Sequence, residues 1–384
     1  MKIKTKLIKL GRNSKKNKGF INPGIYKGST ILFENYKEYL KDLKNKEDTS
    51  HYGINNNPTC NDFENAVSNL YGAADAVSVP SGLTSVIIPF LAFLKKDDHV
   101  LISDALYNPT RQFCDEILSH YGIIIEYFHP TYNINKFNSL IRKNTKMIFL
   151  ESPGTATFDI IDIPKITSIA KKKNIITIAD NTWASPIFCN PLKLGVNIVA
   201  EAVTKYINGH SDILLGIIAS DKKYSKQIRK YIKTMGICVG SEEVYLALRG
   251  LPTLELRIKQ IEKNALLLAR DLEKHKKIKR VLHPALRNHP NYKIWKRDFS
   301  GSSGLFSFEL KKYYSNATLE KFYNKLKVFK LGYSFGGFES LITFPSLEKR
   351  IQEYNINGNL IRLYCGLEDY EDQKNDIINA LKVL

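Results

Sequence analysis

The sequence predicts an α/β fold built on a buried, parallel sheet, followed by a smaller C-terminal α+β unit. Three observations lead there. From about residue 60, short and nearly continuous apolar runs alternate with helix-length amphipathic stretches, the signature of βαβ units. After about residue 245 the pattern changes to one long amphipathic segment and then to alternating runs. Residues 1–56 precede both and show little periodicity.

Residues 1–56 are polar and rich in Asn, Lys, Gly and Tyr. They read as an extended N-terminal arm that needs something else to pack on. In 57–247 the apolar runs are Ala76–Val79, Val100–Ile102, Ile123–Tyr127, Met147–Leu150, Ile175–Ala179, Ile198–Ala200 and Ile213–Ala219. Ile166 to Lys173 reads as a helix ending before the run at Ile175. In 248–384, Thr253 to His275 carries Leu256, Ile261, Leu266, Leu267 and Leu272 at helical spacing. Leu305–Leu310 and Leu360–Tyr364 then alternate like half-exposed strands.

The chain has 384 residues, ample for a large core, and a formal net charge of +19. Its lysines are scattered from Lys2 to Lys382 and far outnumber the arginines. A nucleic-acid binder would gather them into a patch interleaved with aromatics, so nucleic acid is not an expected partner. The charge still raises the local concentration of small anions. Five cysteines, none in a CxxC pair, argue against a disulfide framework or a structural zinc site, and no metal is expected. The start has no apolar segment of signal-peptide length. The longest apolar run, around Val86 to Leu94, falls short of the roughly 18 residues of a membrane span. A cytoplasmic protein with no membrane partner is the expectation.

Lys205, in Thr204-Lys205-Tyr206, follows the apolar run Val196–Ala200. A lysine at the end of a buried strand can lose its charge by desolvation and become the nucleophilic amine that a Schiff base requires. Alone, a lysine in so lysine-rich a chain is more often a surface residue. Asp180 stands 25 residues upstream, at the end of Ile175–Ala179. In an open α/β sheet ligands bind at that end of the strands, although an Asp there also serves as a helix cap. Ser81, Gly82 and Leu83 follow the run Ala76–Val79 and open an apolar helical stretch. A helix N-terminus is a ready anion site, and Thr204 could add its hydroxyl. Tyr107, just past a strand end, could stack on a planar ligand, and Tyr52 lies on the arm; either could equally be structural. Arg362 sits between Ile361 and Leu363. A buried Arg needs an anion, which a substrate carboxylate or a structural acid could supply.

These pieces in this order resemble the Cys/Met-metabolism family of fold-type I enzymes, which depend on pyridoxal 5'-phosphate (PLP). The resemblance runs from about Thr5 to Leu384 and rests on Ser81-Gly82, Tyr107, Asp180-Asn181-Thr182, Thr204-Lys205-Tyr206 and Asn208-Gly209-His210-Ser211-Asp212. Leu150-Glu151-Ser152-Pro153-Gly154, Trp295-Lys296-Arg297-Asp298-Phe299, Gly301–Phe308 and Gly366-Leu367-Glu368-Asp369 are most similar to segments of bacterial cystathionine β-lyases. The γ-synthases and γ-lyases usually continue the Glu-x-Pro segment with Asn-Pro, where this chain has Ala156-Thr157.

The resemblance implies a transferase-like fold with a mostly parallel, seven-stranded sheet. It implies a homotetramer, a dimer of dimers whose arms complete each other's sites. It assigns Lys205 to PLP and to proton transfer, Asp180 to the pyridine nitrogen and Tyr107 to the ring. Ser81, Gly82, Leu83 and Thr204 would hold the phosphate, with Tyr52 reaching over from the partner. Arg362 would take the carboxylate of an amino-acid substrate, supported by Ser334, with Tyr333 and Phe335 nearby. The implied reaction is β-elimination of L-cystathionine to homocysteine, pyruvate and ammonia, with other family activities on the same scaffold as alternatives. Two positions depart from the family. Ile54 stands where the arm's Tyr-x-Arg pattern has an Arg that grips the neighbour's phosphate, and Phe335 stands where close relatives carry Trp. A non-catalytic member with weakened cofactor binding would also lack that Arg.

Overall fold

A computed structural model describes residues 1–44, 52–54, 56–351 and 353–384, so part of the arm lies outside the described residues. Seven strands form the first sheet: β1 (Asp75–Val79), β2 (His99–Ser103), β3 (Ile124–Phe128), β4 (Thr145–Glu151), β5 (Ile176–Asp180), β6 (Ile198–Ala202) and β7 (Gly216–Ser220). Their order is β1-β7-β6-β5-β4-β2-β3. Only β7 runs antiparallel to its neighbours β1 and β6. β2 and β7 are buried along their whole length, as expected of strands covered on both faces.

The helices start and stop where local chemistry directs. Pro58–Tyr71 begins with the Asn57 side chain accepting from the amides of Thr59 and Cys60, has Pro at its first position, and ends at Gly72 in the left-handed region. Gly82–Phe93 is capped by Ser81, whose Oγ accepts from the Thr84 amide at 3.1 Å. Ile163–Lys172 replaces the expected Ile166–Lys173.

Ser241–Gly250, the turn Leu251–Thr253 and the helix Leu254–Glu273 lead to the second sheet. It contains β8 (Ile278–Leu282), β9 (Leu305–Leu310), β10 (Lys330–Leu331), β11 (Leu341–Thr343) and β12 (Leu360–Tyr364), in the order β10-β11-β12-β9-β8. The half-exposed reading of β9 and β12 is corrected: all six residues of β9 are buried, and so are all of β12 but Arg362. Phe306, Phe308 and Leu310 pack with Leu268 and Leu272 of the long helix. On the other face the Glu309 carboxylate accepts from Lys279 at 2.9 Å and Arg280 at 2.7 Å, both on β8. The two ion pairs make its burial tolerable.

The arm is not extended throughout. Ile3–Lys9 is a helix whose Leu7 is fully buried in this chain's own core, and Tyr36–Lys44 is a second helix. Between them Phe20, Ile21 and Leu32 are strongly exposed. Among the described residues no helix is long and apolar enough to cross a membrane.

Candidate active site

The C-terminal ends of β4, β5 and β6 open into a cavity of about 210 Å³, closed from the other side by the second sheet. Ser81, Gly82, Leu83, Tyr107, Asp180, Thr204, Lys205, Tyr333, Phe335 and Arg362 all line it. Residues from both sheets, far apart in sequence, therefore converge on one space.

Lys205 lies just beyond β6. Its Nζ donates to Ser334 Oγ at 2.8 Å and lies 5.1 Å from the centre of the Phe335 ring. Burial and the nearby Arg362 charge bring its ammonium down to about 8, against the opposing pull of Asp180 and Glu339. Gly336 permits this packing: its φ is +84°, and a Cβ there would come within 2.8 Å of Lys205 atoms. The structure thus places Ser334 against Lys205.

Asp180 ends β5 and accepts from the Thr182 amide at 2.9 Å. Burial pushes its carboxyl above the usual range, and its bonds to Thr182 and the Lys205 charge pull the other way. The first turn of Gly82–Phe93 leaves the amides of Gly82 and Leu83 without an intrahelical acceptor. Gly82 is required by packing as well, since a Cβ would lie 2.4 Å from that of Ala202. Thr204 Oγ1 is engaged elsewhere: it donates to the Leu215 carbonyl at 3.1 Å and accepts from the Leu215 amide at 2.9 Å.

Tyr107 stands at the cavity mouth, 49% exposed. Arg362 projects from β12, where burial lowers its affinity for its proton. Tyr52 is outside this chain's cavity, exposed and bridged to Thr30. Ile54 lies with Cys60, Glu64, Arg229 and Cys238 in a separate groove.

Sequence reasoning did not single out Glu151, Thr110, Thr155 or Trp183, which also line the cavity. The strand-end rule that marks Asp180 applies equally to Glu151, the last residue of β4. The Trp183 indole donates to the Leu305 carbonyl at 2.9 Å and so ties the end of β5 to β9.

The family described as Cys/Met metabolism PLP-dependent enzyme matches residues 4–382. The chain belongs to this family. It is 39% identical over 395 residues to an L-alanine/L-glutamate racemase of Wolbachia pipientis wMel, covering 99% of this chain and 97% of that protein. It is 36% identical over 379 residues to a cystathionine beta-lyase of Escherichia coli K12, covering 97% and 96%. A cystathionine beta-lyase of Salmonella typhimurium LT2 is 34% identical over 380 residues, covering 96% and 95%.

The cavity suits the family's cofactor. Thr110 Oγ1 lines it, is buried and has no hydrogen-bond partner, and a buried hydroxyl without one is costly. Asp180 offers a carboxylate to a pyridine N–H, the paired amides offer an anion site, and Lys205 offers the amine. If position 54 faces a neighbour's phosphate, Ile54 costs the cofactor a charged hydrogen bond of roughly 1.5–3 kcal/mol. Ile54→Arg should then slow PLP loss on dialysis about tenfold or more. An unchanged off-rate would show that another cation serves the phosphate or that position 54 faces elsewhere.

Proposed function

We propose that this PLP-dependent enzyme is a carbon–sulfur β-lyase that cleaves L-cystathionine, with one water, to homocysteine, pyruvate and ammonia. The observation that carries the reading is Lys205, an amine brought down to about 8, sharing one cavity with Asp180 on one side and Arg362 on the other. When bound, PLP supplies an electron sink for the charge left at the substrate Cα as its proton departs.

Lys205 Nζ would hold the cofactor and then carry the proton between the substrate Cα and the leaving sulfur. Asp180 would accept the pyridine N–H and keep it charged. The amides of Gly82 and Leu83, with Ser81, would hold the phosphate. Arg362 would orient the substrate α-carboxylate in a bidentate fork. Tyr107 would cover the ring, and Tyr333 and Phe335 would border the side-chain path. Phe335 packs on Tyr206 and Tyr364, with ring centres 5.8 and 6.4 Å away.

The arm fits a homotetramer with shared sites. Phe20, Ile21, Leu32 and Tyr36 are each more than 70% exposed, a cost that a second copy would remove. Tyr52 on that arm would serve the neighbour. Five unpaired cysteines suit the reducing cytoplasm.

A second reading is racemisation of a small amino acid, favoured by the 39% identity to a racemase. It needs that Lys205 take the Cα proton from one face and that a proton be returned from the other. Incubation with L-cystathionine and, separately, L-alanine separates the two. A β-lyase yields pyruvate and homocysteine from the first and at most slow D-alanine from the second. Cysteine with 2-oxobutyrate would identify a γ-lyase. D-alanine formed faster than pyruvate would favour the racemase.

A further inference from the structure

We propose that Glu151 is a positioning residue for the reaction, held by Arg350 from the segment between β11 and β12, and that it fixes Tyr107 at the cavity mouth. The proposal rests on the reading that this cavity holds PLP on Lys205. Glu151 closes β4 in register with Asp180 on β5, so both carboxyls leave the sheet at the same edge. Glu151 is buried and makes two bonds that fix its position: Oε2 accepts from the Tyr107 amide at 2.7 Å, and Oε1 accepts from Thr155 Oγ1 at 2.5 Å. The first holds the main chain from which the Tyr107 ring projects. The second ties that carboxylate to the loop after β4.

That loop is strained. Ala156 and Phe158 adopt φ of +65° and +56°, conformations that side chains with a Cβ rarely take and that persist only where surroundings impose them. Main-chain bonds from Thr155 to the Ala105 carbonyl and between Gly154 and both Asp159 and Phe158 hold this one, and Arg350 adds to them. Its guanidinium donates to Thr157 Oγ1 at 3.0 Å and to the Thr155 carbonyl, and it lies 4.3 Å over the Tyr354 ring. The next amide, Ile351, donates to Asp104 Oδ1 at 3.3 Å, just past the end of β2. One short segment of the C-terminal unit therefore clamps the exits of β2 and β4, and the chain Arg350–Thr155–Glu151–Tyr107 ends at the ring. Burial, and then the charge of Asp180, push the Glu151 carboxyl up to about 8. A pyridine N–H on Asp180 would relieve that repulsion, so cofactor and Glu151 carboxylate favour each other.

The test uses the full-length enzyme as Glu151→Ala, Glu151→Gln and Thr155→Val, with Lys205→Ala alongside. Two quantities are read: the PLP dissociation constant by equilibrium dialysis, and the circular dichroism of the bound cofactor's visible band, which reports how the ring is held. Glu151→Ala should weaken PLP binding about tenfold and diminish the dichroic band. Glu151→Gln should stay within about threefold of wild type, because its carboxamide oxygen can accept from Tyr107 and its NH2 can donate to Thr155 Oγ1. Thr155→Val, which removes one hydroxyl, should give an intermediate loss of the dichroic band. Unchanged affinity and dichroism in Glu151→Ala would overturn the proposal, as would Gln proving as damaging as Ala. Should Glu151→Ala fail to fold, an unaltered dichroic band in Thr155→Val would overturn it. Lys205→Ala with a full visible band would instead overturn the cofactor reading beneath it.

Discussion

Replacing Lys205 with Ala should abolish both turnover and the visible absorbance of the bound cofactor. The expected loss is large because one amine does two jobs. It holds PLP covalently, and it moves the Cα proton, a general acid–base contribution of typically about 10²–10⁴-fold on its own. Lys205→Arg should not rescue, because a guanidinium stays protonated at working pH. The pH dependence follows from the site. Burial and Arg362 bring the Lys205 ammonium from 10.5 to about 8. The free base, and with it the rate at which apoenzyme captures PLP, should therefore rise as pH rises through about 8 and level off above it. Pyruvate release and absorbance spectra check both statements. Appreciable lyase activity in Lys205→Ala would sink the assignment.

The strands of the first sheet were legible because a parallel sheet covered on both faces demands continuous apolar runs. All seven runs became strands, with ends shifted by up to three residues. Strand direction was not legible: nothing in Ile217-Ile218-Ala219 says that β7 runs against its neighbours. The burial of β9 was missed because Ser307 and Glu309 read as solvent-facing. The burial of Glu309 depends on Lys279 and Arg280, about 30 residues away, and such pairings leave no local trace. The helix Ile3–Lys9 did leave one. Ile3 and Leu7 are four residues apart, but in a lysine-rich segment that spacing is easily read as part of an extended arm.

The candidate site divides in the same way. Asp180, Lys205 and the Ser81–Leu83 turn each sit at a strand end or a helix start, and such places attract ligands for general reasons. The structure brings them into one cavity. The hydroxyl partners were not legible, because they depend on how two sheets meet. Ser334 faces Lys205 across 129 residues, and Thr204 turns to Leu215. Glu151 was hidden by its type, since a Glu at the end of a strand usually faces water. The proposed target of Tyr52 and Ile54 is on a second copy, so no contact within one chain marks their roles.

Arg362→Ala should raise KM for the amino-acid substrate strongly while PLP content stays unchanged. Arg362 reaches the cavity from β12, between Ile361 and Leu363, which are both fully buried. Among the described residues no carboxylate forms an ion pair with it, and burial alone already pushes its pKa down. A half-buried guanidinium with no ion-pair partner is costly, and a substrate carboxylate would remove that cost in a bidentate contact. Removing one partner of such a pair costs about 2–5 kcal/mol, or about thirtyfold to several thousandfold in kcat/KM. Arg362→Lys should recover little, since an ammonium cannot form the fork. A second readout separates this role from a structural one. The Arg362 charge helps lower the Lys205 pKa, so its removal should let that pKa rise and move the alkaline rise in PLP capture to higher pH. Steady-state kinetics and the pH profile of PLP capture would show both. Loss of PLP with little change in KM would instead place Arg362 on the cofactor.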